Sequence, residues 1–394
     1  MKKLLSIQFV LITVLSGLMT VCLQMTVSAM PLFVVDIGVA KSLAGTATTA
    51  CTLASLLFRG FAAKITDRAG GRAAAIAGSG LYVLVFFTYQ FCGNIIFLLV
   101  LRILQGIGMS LITTALGTVA TAMVPKDQIT RGMSYFSLGN ATALSIGPAI
   151  GLWLVQSFNF SILFLFGMSA SLLSVALLLV LKTDKAASGR VPHSKGSQEK
   201  KIQGNFWKKA VECGALFPAT LMALMILCQT SLSTYLSFFT ESLSVGGAST
   251  FFTLNVVGMI ASKFLIGRAN ELFGEKRVAI ASGILLAGSY LLISMTSVLG
   301  EGGVLTAGVL YGFGYGSFYT VLNVATVRNT NEETRSVANS AFFGSKDIGT
   351  AVGSLAWGAM TFLGYEAMYG VATGIIVLIT CLYFVQLKKE CAKK

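Results

Sequence analysis

Charge is scarce in this sequence. Asp, Glu, Lys and Arg make up 11% of its 394 residues, against about a quarter in soluble domains. With 55% hydrophobic residues and a mean hydropathy of +0.79, there is too little polar sequence to cover a soluble core. The same balance excludes a disordered chain, a collagen-like repeat and a disulfide-stapled module. The seven cysteines show no CxxC spacing and mostly sit in apolar blocks, where a thiol behaves as a small buried hydrophobe. There is one histidine, His193, and it falls in a polar stretch. No metal site and no cofactor are expected. No period-two alternation appears, which argues against a membrane β-barrel.

What is present is a series of apolar runs of membrane length. They cover roughly 4–34, 43–63, 73–92, 95–123, 131–156 and 160–182, then 210–240, 247–267, 277–299, 302–327, 335–363 and 366–387. Twelve spanning helices of about 20 residues use about 240 of the chain, leaving short loops and no room for a further domain. The first run passes through Pro31 without a cleavage site and reads as a span, not a signal peptide. The fold class expected is an all-α membrane protein with twelve transmembrane helices in two six-helix bundles. Residues 1–182 form the first, 183–209 a basic linker, and 210–394 the second. The polar stretch 182–209 carries eight Lys/Arg against Asp184 and Glu199.

The net charge of +14 is not a nucleic-acid signal, because the basic residues are scattered between apolar blocks. Of 29 Lys and Arg, 26 fall at the termini, in the linker or near the even-numbered loops. The opposite side holds Lys41 alone, and Arg102 and Lys346 fall inside helices. Positive charge stays on the cytoplasmic side, so both termini are expected in the cytoplasm of a cell membrane, such as a bacterial inner or plasma membrane.

The halves repeat at an offset near 204. Residues 26–36 align with 231–241, 59–72 with 263–276 (pairing Asp67 with Glu271 and Gly70 with Gly274), and IGPAIG at 146–151 with IGTAVG at 348–353. Parallel six-helix repeats mark one large class of secondary transporters, with substrate bound between the halves. Three motifs strengthen this. Residues 63–72 (AKITDRAGGR) resemble the loop pattern G-x-x-x-D-R-x-G-R-R, Arg102-Ile-Leu-Gln105-Gly106-Ile-Gly108 resembles R-x-x-Q-G-x-G, and Gly139 with Gly147-Pro148-Ala-Ile-Gly151 is similar to an antiporter motif ending G-P-x-x-G. Over nearly its whole length the chain resembles the major facilitator superfamily, and the last two motifs resemble its twelve-helix drug/proton antiporter branch.

The residues themselves suggest roles. An arginine in hydrocarbon faces a bundle interior or snorkels to a helix end, so Arg102 is either a fixed cation for proton coupling or a structural residue. The resemblance implies coupling. Asp347 is the one carboxylate clearly inside a span; it either takes the proton or pairs structurally with Lys346 or Arg102. Polar residues four apart form one face each: Gln24 and Ser28 on the first helix, Gln229 and Ser233 on the seventh, Tyr311, Tyr315, Tyr319 and Asn323 on the tenth. With Lys346 they are candidates for a substrate cavity, the alternative being helix packing. The tyrosines suit an aromatic or cationic solute. Arg59, Asp67, Arg68, Gly70, Arg72 and Arg131 are candidates for conformational gating, since Asp67 can meet a helix N-terminus; the resemblance makes that the eleventh helix, starting near Arg335. Gly139, Gly147, Pro148 and Gly151 make the bent antiporter helix.

The expected function is proton-coupled export of small organic molecules by alternating access, the partners being substrate, protons and the lipid bilayer, with no nucleic acid and a monomeric protein. The alternative is a dedicated exporter or symporter for one metabolite, such as a sugar, a peptide-like compound or a metallophore. An enzyme is excluded by the lack of a Walker loop, HExxH or GxSxG, and no filter-like repeat suggests a channel. The topology has a direct test. Cysteines introduced at Ser197 and Asn331 should be labelled only from the cytoplasm, and one at Gly302 only from outside. Labelling of all three from one side would overturn the twelve-helix arrangement.

Overall fold

A computed structural model describes residues 7–124, 129–180, 216–327 and 332–392, and among these there is no β-strand. Six helices form the first half: α1 (Ile7–Asp36), α2 (Thr46–Ala69), α3 (Gly71–Tyr89), α4 (Ile95–Met123), α5 (Ile129–Ser157) and α6 (Phe160–Val180). The second half begins with α7 (Leu216–Ser242). The helical stretch Ala248–Ser294 is broken at Gly274 and is numbered as two helices, α8 before the break and α9 after it. It is followed by α10 (Thr296–Val327), α11 (Glu332–Met360) and α12 (Tyr365–Ala392). The twelve-helix expectation therefore holds. The linker 183–209, with His193, and Glu212 lie outside the described residues.

Local chemistry fixes several helix ends. The side chain of Asn94 accepts from Ile96 N–H at 2.8 Å to start α4, and Asn159 accepts from Ile162 N–H at 2.9 Å to start α6. Each satisfies an N–H that the first helical turn leaves orphaned. The α2–α3 corner turns on Gly70, with φ 88° and ψ 148°, and the α8–α9 break turns on Gly274, with φ 76° and ψ 153°. Backbone there is essentially closed to any residue with a Cβ. The two glycines that the repeat aligns thus share one conformation.

By length and composition, α1, α3, α4, α6, α7, α8, α9 and α12 are apolar enough to cross a membrane. This is a multi-pass membrane protein. The remaining helices are of similar length but carry more glycine, polar and charged residues, including Arg59, Asn140 and Asp347.

The chain divides into two compact units: residues 1–40 with 46–196, and residues 41–45 with 197–394. In the first, α1 packs on α5, α2 on α4, and α3 on α4 and α6. In the second, α7 packs on α11, and the α8–α9 stretch on α10 and α12. The pairings correspond one to one. The sequence division missed one detail: residues 41–45, between α1 and α2, belong with the second unit. There the Lys41 ammonium lies over the Phe238 ring at 5.5 Å. Gly358 lies under the Ser42 carbonyl and Gly45 under the Ser354 carbonyl, so closely that a Cβ at either position would overlap.

The same kind of contact recurs along the main helix pairs. A Cβ at Gly147 would overlap Gln24 of α1, and one at Gly151 would overlap the backbone of Met25. In the second unit Gly349 faces the backbone of Ala223, and Gly353 faces Leu227 and Thr230 of α7. Gly106 of α4 sits on the Cys51 carbonyl of α2, and Gly312 of α10 on the Asn255 carbonyl of α8. Lipid tails are as apolar as leucine, so close van der Waals approach has to replace the hydrophobic drive that holds soluble helices together.

Candidate functional site

Arg102 is fully buried, as are its neighbours Gln105 and Thr26. Its Nη1 donates to Gln105 Oε1 at 2.6 Å and to Thr26 Oγ1 at 3.3 Å, and its Nη2 donates to the Thr26 carbonyl at 3.0 Å. Gln105 Nε2 donates to the same Thr26 hydroxyl at 3.2 Å, and Tyr89 O–H donates to Gln105 Oε1 at 2.8 Å. Thus α1, α3 and α4 meet at one guanidinium. It does not snorkel to a helix end. Its partners are neutral oxygens, and among the described residues no carboxylate contacts it. Its Nε has no hydrogen-bond partner there. The sequence singled out Arg102 but not Thr26 or Tyr89, because a lone threonine or tyrosine in an apolar run carries no signal.

The α1–α5 seam holds a second network. Ser16 and Thr20 donate to Asn140 Oδ1 at 2.9 and 3.0 Å, and Asn140 Nδ2 donates to the Phe136 carbonyl. Ser28 is buried, donating to Met25 O at 3.1 Å and reaching Pro148 O at 3.4 Å. It lies at a helix contact instead of an open wall. Gln24 stays half-buried. Gly139 faces Thr13, so Gly139, Gly147, Pro148 and Gly151 all serve the approach of α5 to α1.

In the second unit, Gln229 and Ser233 of α7 are half-buried, and Ser233 donates to Thr230 O at 3.4 Å. Tyr311 and Tyr315 depart from the cavity expectation. They are 2% and 3% exposed, stack on each other at 5.4 Å, and Tyr311 packs on Phe251 and Tyr290. Four-residue spacing put them on one face, and that face turns into the unit's core. Tyr319 and Asn323, further along α10, are half-buried. The Lys346 ammonium lies over the Tyr319 ring at 5.5 Å, and so does that of Lys263 from α8, which also donates to Thr320 Oγ1 at 3.0 Å. Lys263 was counted with the basic residues near the cytoplasmic loops, yet it lies within the candidate span Ala248–Ile266. Asp347 is half-buried on α11; as the next residue it points about 100° around the helix from Lys346.

The loop residues divide. Arg72 at the start of α3 donates through Nε to Leu178 O at 2.7 Å and through Nη2 to Leu179 O, capping the last carbonyls of α6. It is a positioning residue of the first unit. Asp67 and Arg68 are exposed, and Arg59 is half-buried. The side chains of Arg131 and Arg335 lie outside the described residues. Of the cysteines, Cys22, Cys51, Cys92 and Cys228 are buried free thiols. Among the described residues no group of three His, Cys, Asp or Glu could hold a metal ion.

The family model for the Major Facilitator Superfamily matches residues 10–250 and again residues 221–390. The chain is 23% identical over 384 residues to the multi-drug resistance efflux pump PmrA of Streptococcus pneumoniae, covering 92% of this chain and 91% of that one. It is 19% identical over 371 residues to the staphylopine export protein of Staphylococcus aureus, covering 89% of each. Among solved structures it resembles a POT family transporter crystallised with a thioalcohol-conjugated peptide, at TM-score 0.77 and 14% identity, over 97% of this chain and 96% of that one.

The Arg102 network makes a stability prediction. Thr26→Val keeps the shape but strands donors of Arg102 and Gln105, at a cost of about 1–3 kcal/mol. The melting temperature of the purified protein in detergent should fall, and Thr26→Ser should recover most of it. An unchanged melting temperature in Thr26→Val would mean that the network adds nothing.

Proposed function

The chain belongs to the Major Facilitator Superfamily, and on that premise we propose that it is a proton-coupled exporter of small organic molecules. The observation that carries the reading is the α1–α5 seam. There the antiporter-like stretch Gly147-Pro148-Ala-Ile-Gly151 meets α1 at Gln24 and Met25, with Ser28 reaching Pro148 O. The proline removes one backbone donor inside α5, while glycines on either side hold the helix against its neighbour. Likeness to an efflux pump over nine-tenths of the chain adds support.

Asp347 takes the role of proton carrier and Arg102 that of fixed cation in the first unit. A carboxylate in a membrane span loses its charge on protonation, which changes its affinity for a charged substrate and its preference for water. The energy is adequate, because one charge moved through 100 mV is worth about 2.3 kcal/mol. Gln24, Gln229, Ser233 and Asn323 contribute the polar walls of the pathway, Asp67 gates its cytoplasmic side, and both termini are cytoplasmic. Likeness to the staphylopine export protein and the two lysines at Tyr319 favour a second reading, a dedicated exporter of one acidic metabolite.

Purified protein in proteoliposomes with an imposed pH gradient and a diverse solute panel tests the export reading. Asp347→Asn should abolish transport driven by the gradient while leaving substrate binding. The key readout is substrate-induced proton movement. Equal proton release by wild type and Asp347→Asn would remove Asp347 from the coupling role and direct attention to Glu212, the acidic residue near the start of the seventh apolar run, or to a substrate that carries the charge itself.

A further inference from the structure

Lys263 poses a physical problem. It sits in an apolar span of α8, half-buried. A cation away from bulk water is costly without a counter-charge. Its partners are the Thr320 hydroxyl at 3.0 Å and the face of Tyr319 at 5.5 Å. Both are neutral, and among the described residues no carboxylate forms a salt bridge with it. A second ammonium, that of Lys346 on α11, lies 5.5 Å from the centre of the same ring. A second cation beside the same ring adds to the cost of holding Lys263 there, and the ring quadrupole offsets only part of it. An anion held by both ammonium groups would offset that cost and supply the missing charge.

Space for such an anion adjoins the lysine. A cavity of about 270 Å³ between α8 and α10 is lined by Asn270, Thr320, Val321 and Val324. Thr320 belongs both to this wall and to the Lys263 contact. Asn270 Oδ1 is buried without a hydrogen-bond partner, and it is an acceptor that a ligand O–H or N–H would satisfy. Pockets for drug-sized molecules run to about 300–1,000 Å³, so this one suits a small acid.

We propose that Lys263 and Lys346, facing the ring of Tyr319 in the second unit, form a binding subsite for the acidic group of a small organic anion that also carries a hydrogen-bond donor. The subsite lies wholly within the second unit. The proposal rests on the exporter reading only in taking that anion to be the transported solute. Tyr319 then orients the lysines and does not stack on a cationic solute, which reverses the preference that the tyrosine face alone suggests.

The test is equilibrium binding of radiolabelled para-hydroxybenzoate to the full-length protein in neutral detergent, by scintillation proximity. Para-hydroxybenzylamine and para-hydroxybenzyl alcohol serve as competitors of the same shape. Wild type should bind the acid saturably, and neither competitor should displace it at equal concentration. Lys263→Gln and Lys346→Gln should each weaken binding about tenfold or more, as expected for a lost charge-assisted hydrogen bond. Lys263→Arg and Lys346→Arg, which keep the charge, should retain most of it; they serve as folding controls through their melting temperatures. No saturable binding by wild type, or equal binding in both glutamine variants, overturns the proposal. Repeating the assay in phosphatidylcholine and phosphatidylglycerol vesicles separates the two sources of an acidic group. Binding in both lipids supports a soluble solute, while loss in phosphatidylglycerol assigns the lysines to a lipid headgroup and overturns it. Binding without transport leaves the subsite standing and refutes the exporter reading; transport with binding blind to charge does the reverse.

Discussion

Backbone-to-backbone approach at glycine is the contact on which the rest of this structure depends. In lipid the hydrophobic effect gives little reason for one apolar helix to prefer another. The helix pairs therefore lean on contacts made possible by a missing Cβ: Gly147 and Gly151 on α1, Gly349 and Gly353 on α7, Gly106 on α2 and Gly312 on α8. Two of these seams also bring polar groups of two helices within bonding range. Ser28 reaches the Pro148 carbonyl across the α1–α5 seam, and Trp357 Nε1 donates to the Leu227 carbonyl across the α7–α11 seam at 2.6 Å.

Once the helices are that close, buried charge can be held. Arg102 can donate to three oxygen atoms of Thr26 and Gln105 only because α1 and α4 are in contact, and Tyr89 of α3 joins the set through Gln105. The second unit meets the same problem differently. Its Lys263 rests on a hydroxyl and an aromatic face, weaker partners for a cation than the three oxygen acceptors around Arg102. One half therefore contains a hydrogen-bonded cationic network, and the other a cationic pair with room beside it.

Much of the fold was legible because apolar runs of membrane length leave few alternatives. The span at 95–123 matched α4 to the residue, and the repeat paired Gly70 with Gly274 before their shared backbone conformation was visible. The buried arginine of α4 and the close-packed glycines of α5 were equally readable, since charge and missing side chains stand out in an apolar background. The direction of a stripe was not. A helix apolar on all sides gives no period to say which face meets its neighbours, so Ser28, Tyr311 and Tyr315 were read as lining when their contacts are internal. Long-range partners were also hidden. Nothing near Arg72 announces that it caps α6, and the short turn at residues 41–45 gives no sign that it packs against α11. Lys263 escaped notice because a lysine near a span's end looks like any cytoplasmic charge.

Side-by-side thermal unfolding in detergent of Gly147→Val, Gly349→Val and Gly80→Val tests the central claim most directly. Gly80 of α3 has open space where a side chain would go, so it serves as the control. Overpacking at a helix contact costs about 1–3 kcal/mol or more. The melting temperature should therefore drop in both seam variants and stay near wild type in the control. Seam variants as stable as Gly80→Val would contradict the view that these contacts hold each half together.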